Sequence, residues 1–329
     1  MLLGQCPRVC GRAAHGWNHV TFMPAHRGWH ACPMLVRQSL ARGFIGATQV
    51  LGEHPIVTHT PARLAMRWVG NHLVPWTARS VFTEGVHEIN GVRLEVPRPP
   101  DWGGGGEFHM VLGTYEGGEV RFLLSRLTPG DVFVDVGSHV GYVALAVANV
   151  VGPRGHVLCL EPTPETFQRL RANVARNGLM NVTLVEAAAA ECDGSAQLAC
   201  SGDSAMWNSL ARDGVRYLQV ATRSLDSVVA EAGWPSVAGI KIDAEGAEWS
   251  VLCGAEQVFH RNPGAFCMFE VDGGERAGDS LRILRHLAQR RYRFSRFTWR
   301  GPRPETLASL ERRLSMPRGG WANILAEAR

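Results

Sequence analysis

The chain has 329 residues, with 34 basic and 30 acidic side chains and 45% apolar residues. It can therefore bury a full hydrophobic core without disulfide or metal cross-links. No apolar run approaches the roughly 20 residues of a membrane span, and no unit recurs at a period of 20–50 residues, which excludes membrane-spanning proteins and solenoids. The net charge is +4. No basic stripe is interleaved with aromatic residues, so no nucleic-acid partner is expected.

The first 60 residues are predicted to be a tail, either disordered or the product of an over-long gene start, since Met23 and Met34 offer later starts. No charged region followed by an apolar core marks a secretory signal, so a cytoplasmic protein is expected. The eight cysteines lack a repeated spacing and are predicted to be reduced thiols. The alternative is a zinc site built from Cys6, Cys10, His26 and His30, although their spacing fits no zinc finger well.

Residues 61–112 are predicted to form an N-terminal helix and hairpin extension. Thr60 and Pro61 supply a cap and a first-turn proline for a helix that ends before Pro75. Asn90 and Gly91, between apolar neighbours, predict a hairpin over 87–96. The proline- and glycine-rich stretch 97–106 then predicts a linker.

The third segment, 113–329, alternates regularly between helices and largely apolar strands. Strands are predicted over 132–136, 157–160, 181–185, 239–243 and 265–271, and helices over 120–127, 142–150, 164–177, 225–231 and 247–259. This alternation predicts an α/β fold, a doubly wound and mostly parallel sheet covered on both faces. Two terminal strands, over 292–298 and 321–325, are expected to complete the sheet as a hairpin.

Ligands of such sheets bind beyond the carboxyl ends of the strands. The first strand ends at Asp135, whose carboxylate can accept hydrogen bonds there, and Gly137 and Gly141 allow a tight turn and close packing of the following helix. The second strand ends at Glu161, where an acid can accept both ribose hydroxyls of a nucleoside. The two features together predict a nucleoside-containing cofactor.

The glycine pattern of dinucleotide sites is incomplete, because His139 and Tyr142 stand where the second and third glycines would be. A cofactor without phosphates is therefore favoured, with S-adenosylmethionine as the leading candidate and a nucleotide-dependent oxidoreductase as the alternative. His139 itself is expected to pack or to face the cofactor, the other interpretation being a general base.

Thirty-three of the 34 basic residues are arginine, which suggests GC-rich coding, and Lys241 is the single lysine. It shares one strand face with Asp243. The pair is interpreted either as a structural ion pair or as part of an acceptor pocket in which Asp243 takes a proton from a hydroxyl. Glu248, at the start of the next helix, is predicted to cap it.

A further acid, Glu270, ends the fifth strand. With Asp243 on the adjacent strand it would hold a divalent cation or share acid and base duties, and the alternative is that both carboxylates bind loop backbone. Asp243 is the first choice for the base and Glu270 the second.

Taken together, these motifs resemble the FkbM family of S-adenosylmethionine-dependent methyltransferases over 113–326. The resemblance rests on GTYE at 113–116, PGDVFVDVG at 129–137, LEP at 160–162, NVARNGL at 173–179 and KIDAEGAE at 241–248. One departure is that Ser138 and His139 stand where the family usually has Ala-Asn.

The resemblance implies a class I methyltransferase core, Rossmann-like in fold. It places at the cofactor Glu116, Asp135, Gly137, Ser138, His139, Gly141, Glu161, Pro162, Glu186, Ala187 and Asp243, with Glu186 and Ala187 beside the adenine. Lys241, Asp243 and Glu270 are the candidate catalytic residues. The implied acceptor is a hydroxyl on a small molecule or glycan, such as a sugar or a polyketide-like product. A non-catalytic cofactor-binding partner protein is the other alternative.

Overall fold

The structure is a computed structural model that describes residues 85–96, 109–111, 113, 115–200, 210, 216–233, 236–274, 276–316 and 320–328. Four of the predicted features lie outside these ranges: the tail, the helix before Pro75, the linker and the candidate zinc site. Among the described residues, no helix combines the length and apolar character that a bilayer crossing requires.

The strands are β1 (Val86–Ile89), β2 (Val92–Glu95), β3 (Val132–Val136), β4 (His156–Leu160), β5 (Val182–Val185), β6 (Ala188–Ala189), β7 (Gly194–Cys200), β8 (Arg216–Arg223), β9 (Gly239–Ile242), β10 (Phe266–Val271), β11 (Tyr292–Thr298), β12 (Gly301–Glu305) and β13 (Ala322–Ala328). The helices are α1 (Gly117–Arg126), α2 (Tyr142–Val151), α3 (Pro164–Arg176), α4 (Leu225–Ala232), α5 (Glu248–Cys253), α6 (Glu256–Arg261), α7 (Ala277–Gln289) and α8 (Leu307–Leu314).

Eight strands form the central sheet, in the order β12-β11-β13-β10-β9-β3-β4-β5. The five strands from β10 to β5 are parallel to one another, and β13, β11 and β12 add antiparallel pairs at the other side. The chain runs from β3 outward to β4 and β5, then crosses back to β9 on the opposite side of β3. The predicted doubly wound, mostly parallel α/β fold is confirmed, with its switch point between β3 and β9.

Successive strand residues alternate between two hydrophobic cores, as the pleat requires. Val134 and Ile240 face one core, which packs against α4 to α7, whereas Phe133 and Met268 face the other, which packs against α1 and α2. Because both faces are covered, apolar side chains run almost continuously along β3 and β9.

The hairpin predicted around Asn90 and Gly91 is present as β1 and β2. Both turn residues have positive φ angles, 51° and 79°, as the two-residue hairpin turn with the matching twist requires.

The single helix predicted over 247–259 is wrong, because α5 and α6 are separate helices. Gly254 lies between them, and a Cβ there would overlap the backbone oxygen of Ala190. The second helix gains its own cap, since the Asp226 carboxylate accepts hydrogen bonds from the backbone N–H groups of Gln257 and Val258.

The terminal hairpin is also different from the prediction. The strand that forms a hairpin with β11 is β12. The last predicted strand, β13, pairs with β11 as well, but it lies between β10 and β11 in the sheet. A separate three-stranded sheet, β6-β8-β7, was not predicted. It stands beside the carboxyl edge of the central sheet and supplies part of the wall of the cavity described next.

Candidate functional site

A cavity of about 860 Å³, partly open to solvent, lies beyond the carboxyl ends of β3, β4 and β9. It sits at the switch point, where open α/β sheets bind their ligands. Its wall is built from the turn after β3, the tip of β4, the loop after β9 and the residues just before α1.

The turn after β3 is held by backbone hydrogen bonds to the neighbouring strands. Gly137 and Ser138 donate to the Leu160 oxygen over 3.0 and 3.1 Å, and Asp243 donates to the Val136 oxygen over 3.1 Å. Gly137 has a φ of 76°, and a Cβ there would overlap the backbone oxygen of Asp243. The close approach of two loops therefore requires glycine at this position.

Glu161 joins the tip of β4 to that turn. Its Oε2 accepts a hydrogen bond from His139 N at 3.0 Å and its Oε1 one from Thr163 N at 2.9 Å. Burial raises the pKa of Glu161 to about 7, although both backbone donors favour the ionised form. The Thr163 side chain is a third donor to this carboxylate, and a carboxylate accepts about four hydrogen bonds, so it can still accept one from a ligand.

Asp135 is the most buried acid of the cavity, with 1% of its surface exposed. Within the described part of the chain, neither of its carboxylate oxygens has a hydrogen-bond partner. Burial raises the pKa of Asp135 to about 6, against the opposing effect of Lys241, its register partner on β9. A buried acceptor without a donor is costly, and it marks a place where a ligand would bind.

Lys241 lies between two acids. Its Nζ is 2.8 Å from Asp243 Oδ2 and 3.6 Å from Glu116 Oε1. Burial alone would lower the pKa of Lys241, but the charges of Asp243 and Glu116 outweigh it and hold the pKa well above its ordinary value. Burial also raises the pKa of Glu116. The ammonium is therefore charged and directed at Asp243.

The geometry brings Glu116 here from a distant part of the sequence. Glu116 precedes α1 with a left-handed φ of 43°, and its Oε2 is buried without a hydrogen-bond partner among the described residues. His139 also has a positive φ, 49°. Burial lowers the pKa of His139 to about 4, so this ring is neutral at pH 7.

Nine of the predicted site residues line the cavity: Glu116, Asp135, Gly137, Ser138, His139, Glu161, Pro162, Lys241 and Asp243. Gly141 lies at the N-terminus of α2. Glu186 and Ala187 are outside the set of lining residues, whereas Ala188 and Ala189, the next two residues, are within it.

Glu270 lines a separate, smaller cavity with Glu248, Asp272 and Arg276. Burial raises the pKa of Glu270 to about 8. The predicted cap is wrong: Glu248 Oε1 accepts hydrogen bonds from Ala244 N and Gly246 N, in the loop before α5, and no side chain of the described residues caps the first turn of that helix. In the described ranges, no group of three potential metal ligands is arranged around a common point.

Several residues of the cavity wall have no role predicted from the sequence. Tyr115 and Tyr142 meet edge to face with ring centroids 5.6 Å apart. Tyr115 could have been found from its place beside Glu116 in the GTYE motif. Leu198 belongs to the three-stranded sheet, and no periodic signal in the sequence pointed to that sheet.

Residues 135–294 match the family model described as the methyltransferase FkbM domain. The chain carries an FkbM methyltransferase domain. The matched segment begins at Asp135 and includes β4, β9 and β10, so it contains most of the cavity wall. S-adenosylmethionine is the cofactor of this domain.

Curated proteins that match part of this chain include methyltransferases of several kinds. An arsenite methyltransferase of Halobacterium salinarum is 41% identical over 58 residues, 18% of this chain and 15% of that protein. A protein-L-isoaspartate O-methyltransferase of Ignicoccus hospitalis is 38% identical over 77 residues, 23% of this chain and 33% of that protein. The matches thus span a third or less of these two relatives.

Solved structures similar to the chain include a putative O-methyltransferase from Klebsiella pneumoniae, with 17% identity and a TM-score of 0.40, over 65% of this chain and 80% of that one. An O-methyltransferase from Bacillus cereus, in complex with SAH, has 16% identity and a TM-score of 0.40, over 64% and 80% of the two chains.

The cavity's donor set fits S-adenosylmethionine. Its described lining residues include five carboxyl groups, from Glu116, Asp135, Glu161, Asp243 and Glu245, and one cation, Lys241. This balance suits a ligand with positive charges and hydroxyl donors. The buried Asp135 oxygens, which have no hydrogen-bond partner among the described residues, and the Glu161 carboxylate are the acceptors that such a ligand would use.

Proposed function

We propose that this chain is an O-methyltransferase that methylates a hydroxyl group of a small-molecule or glycan acceptor. The observation that carries the proposal is the excess of carboxyl groups at the switch-point cavity. A sulfonium and an ammonium are attracted to it, whereas the pyrophosphate of a nicotinamide dinucleotide is repelled. The alternative of a nucleotide-dependent oxidoreductase is disfavoured on the same ground.

Glu161 would accept the ribose hydroxyls of the cofactor, and Asp135 would face its ammonium group. When bound, S-adenosylmethionine would supply a methyl group on a positively charged sulfur. An acceptor oxygen would bond to the methyl carbon as the carbon–sulfur bond breaks, and S-adenosylhomocysteine would leave. The protein's task is then to orient the acceptor oxygen and to take its proton, because positioning supplies much of the rate.

Asp243 is proposed as the group that takes the proton. Its Oδ2 is paired with Lys241 at 2.8 Å, and the residue lines the cavity, so its second oxygen, Oδ1, is the proposed acceptor of the hydroxyl proton. Lys241 holds the carboxylate of Asp243 in place through this charged hydrogen bond. Glu270 is the second candidate, as a base or as a cation ligand with Asp243.

The first experiment is calorimetry with S-adenosylhomocysteine and with NADH. Binding of S-adenosylhomocysteine alone supports the proposal, and binding of NADH alone overturns it. Release of S-adenosylhomocysteine is then measured with hydroxylated sugars and polyketide-like compounds, with and without EDTA. Release that persists in EDTA argues against the divalent cation. If the protein binds cofactor but none of the acceptors triggers release, the non-catalytic alternative gains support.

The role of Asp243 is tested by comparing Asp243→Asn with Glu270→Gln. We expect Asp243→Asn to lower turnover about 100-fold or more, the usual range for a general base, while cofactor affinity stays within about threefold. Glu270→Gln serves as the matched carboxyl-to-amide control and should keep most of its turnover. If Glu270→Gln lowers turnover more than Asp243→Asn does, the base is Glu270 instead.

A further inference from the structure

The hairpin β1-β2 is joined to α3 by two asparagine side chains that take the place of a third strand. Asn173 Oδ1 accepts a hydrogen bond from Glu95 N at 2.9 Å, and its Nδ2 donates to Glu95 O at 3.2 Å. Asn177 repeats the pattern on Arg93, where both distances are 2.8 Å. Each side-chain amide thus pairs with a backbone amide as a strand residue would.

The spacing of the two pairs explains why a helix can do this. Arg93 and Glu95 are two residues apart on a strand, a distance of about 6.6 Å. Asn173 and Asn177 are four residues apart on a helix, a rise of about 6 Å along one face. The backbone groups at the outer edge of β2 are therefore satisfied along its described length.

One of the two asparagines also contacts the turn after β3, residues 137–141, which we call the cofactor turn. Asn173 Nδ2 donates to Val140 O at 2.9 Å, between His139 and Gly141, whereas the second bond of Asn177 Nδ2 goes to Asn173 O at 2.8 Å, within its own helix. Asn173 and Val140 are both fully buried. Without Asn173, the Val140 oxygen would be left as a buried acceptor without a donor.

We propose that Asn173 is a positioning residue for the cofactor, which uses the N-terminal hairpin as an anchor to fix the turn from Gly137 to Gly141. The inference rests on the proposed function, because it assumes that this turn binds S-adenosylmethionine. It makes the hairpin part of the cofactor site, although the hairpin contributes no residue to the cavity wall. The backbone of Glu95 fixes the Asn173 side chain through two hydrogen bonds, and Asn173 in turn donates to Val140 O in the turn.

The test compares Asn173→Asp with Asn177→Asp. Each substitution replaces one NH2 group by an oxygen and removes two donated hydrogen bonds, but only Asn173→Asp removes a bond to the cofactor turn. We expect both variants to have a lower melting temperature. The dissociation constant of S-adenosylhomocysteine should rise about tenfold in Asn173→Asp and stay within twofold in Asn177→Asp. The backbone amide NMR signals of residues 138–141 should shift in the first variant only.

Equal effects of the two variants on affinity, or no effect of either, would overturn the inference. A wild-type protein that does not bind S-adenosylhomocysteine would overturn the proposed function instead, so the two failures are distinct. If Asn173→Asp does not fold, Glu95→Pro and Arg93→Pro replace the pair, since each removes one N–H that donates to an asparagine. Glu95→Pro should then weaken binding about threefold more than Arg93→Pro, and equal binding would again contradict the role.

Discussion

Lys241 Nζ lies 2.8 Å from Asp243 Oδ2, and the lysine side chain is only 8% exposed. Lys241, on β9, and Asp243, the first residue after it, thus form an ion pair at the edge of the cavity, in which the lysine is buried and the aspartate is 23% exposed. Breaking the lysine's side of this arrangement is costly, because Glu116, 10% exposed, and Asp243 would both lose their cation.

Replacing Lys241 by methionine should lower the free energy of unfolding by about 3–5 kcal/mol, measured by chemical denaturation. Lys241→Arg keeps the charge but places a larger, planar head between Asp243 and Glu116, so we expect a smaller loss of stability and a clear loss of turnover. The exposed Arg285→Lys exchange is the control. If Lys241→Arg behaves like that control, the single lysine has no special role.

Gly137→Ala should abolish cofactor binding and destabilise the fold. The new Cβ would overlap the Asp243 backbone oxygen, in addition to the strain of a φ of 76°. Gly178→Ala is the matched control, because Gly178 has a φ of 62° but no atom within 4 Å of a Cβ, so it should lose only about 1–2 kcal/mol. Equal losses of stability and of S-adenosylhomocysteine binding would show that the close approach of the loops is unimportant.

Glu161→Gln should weaken cofactor binding about tenfold to 100-fold. An amide nitrogen would face either His139 N or Thr163 N, so one backbone hydrogen bond would be lost along with the negative charge. Calorimetry with S-adenosylhomocysteine measures the effect. The exposed Glu165→Gln on α3 is the control, and affinity equal to that control would remove Glu161 from the ligand set.

The buried acids predict opposite pH dependences for stability and for binding. Burial raises the pKa of Glu161 to about 7 and of Asp135 to about 6, so between about pH 4 and 7 the folded protein binds more protons than the unfolded chain. The free energy of unfolding of the free protein should therefore rise as the pH falls from 8 to 5.

Cofactor affinity should fall over the same pH range, because protonation removes the charges that attract a cationic ligand. Melting curves without ligand and calorimetry with S-adenosylhomocysteine, both from pH 5 to 8, test the two trends. The Glu161→Gln variant should lose the part of each pH dependence that is centred near pH 7. An affinity that is independent of pH would contradict the assignment of both acids.

Several strands could be predicted to within about a residue from the sequence. β3, β4, β9 and β10 are short apolar runs bounded by turn residues, the pattern of strands buried on both faces. By contrast, β12 contains Pro302 and Pro304, which argue against a strand. It forms nonetheless because it lies at the edge of the sheet, where missing N–H groups can face solvent.

The candidate site was predictable where chemistry follows directly from a strand. Asp135, Glu161 and Asp243 stand at strand ends, and parallel strands bring such ends to one edge. The contact between Glu116 and Lys241 was different, because it joins residues 125 positions apart. It depends on a left-handed backbone angle at Glu116, which no periodic pattern encodes, and only the family resemblance drew attention to that residue.

The position of β13 bears on how the protein can be made. It pairs with β10 on one side and β11 on the other, yet it is the last of the described strands to be synthesised. Until it arrives, both neighbours present open edges that can pair with other chains. During translation the central sheet therefore stays divided, and a product that stops short of Ala322 would be prone to aggregate rather than fold.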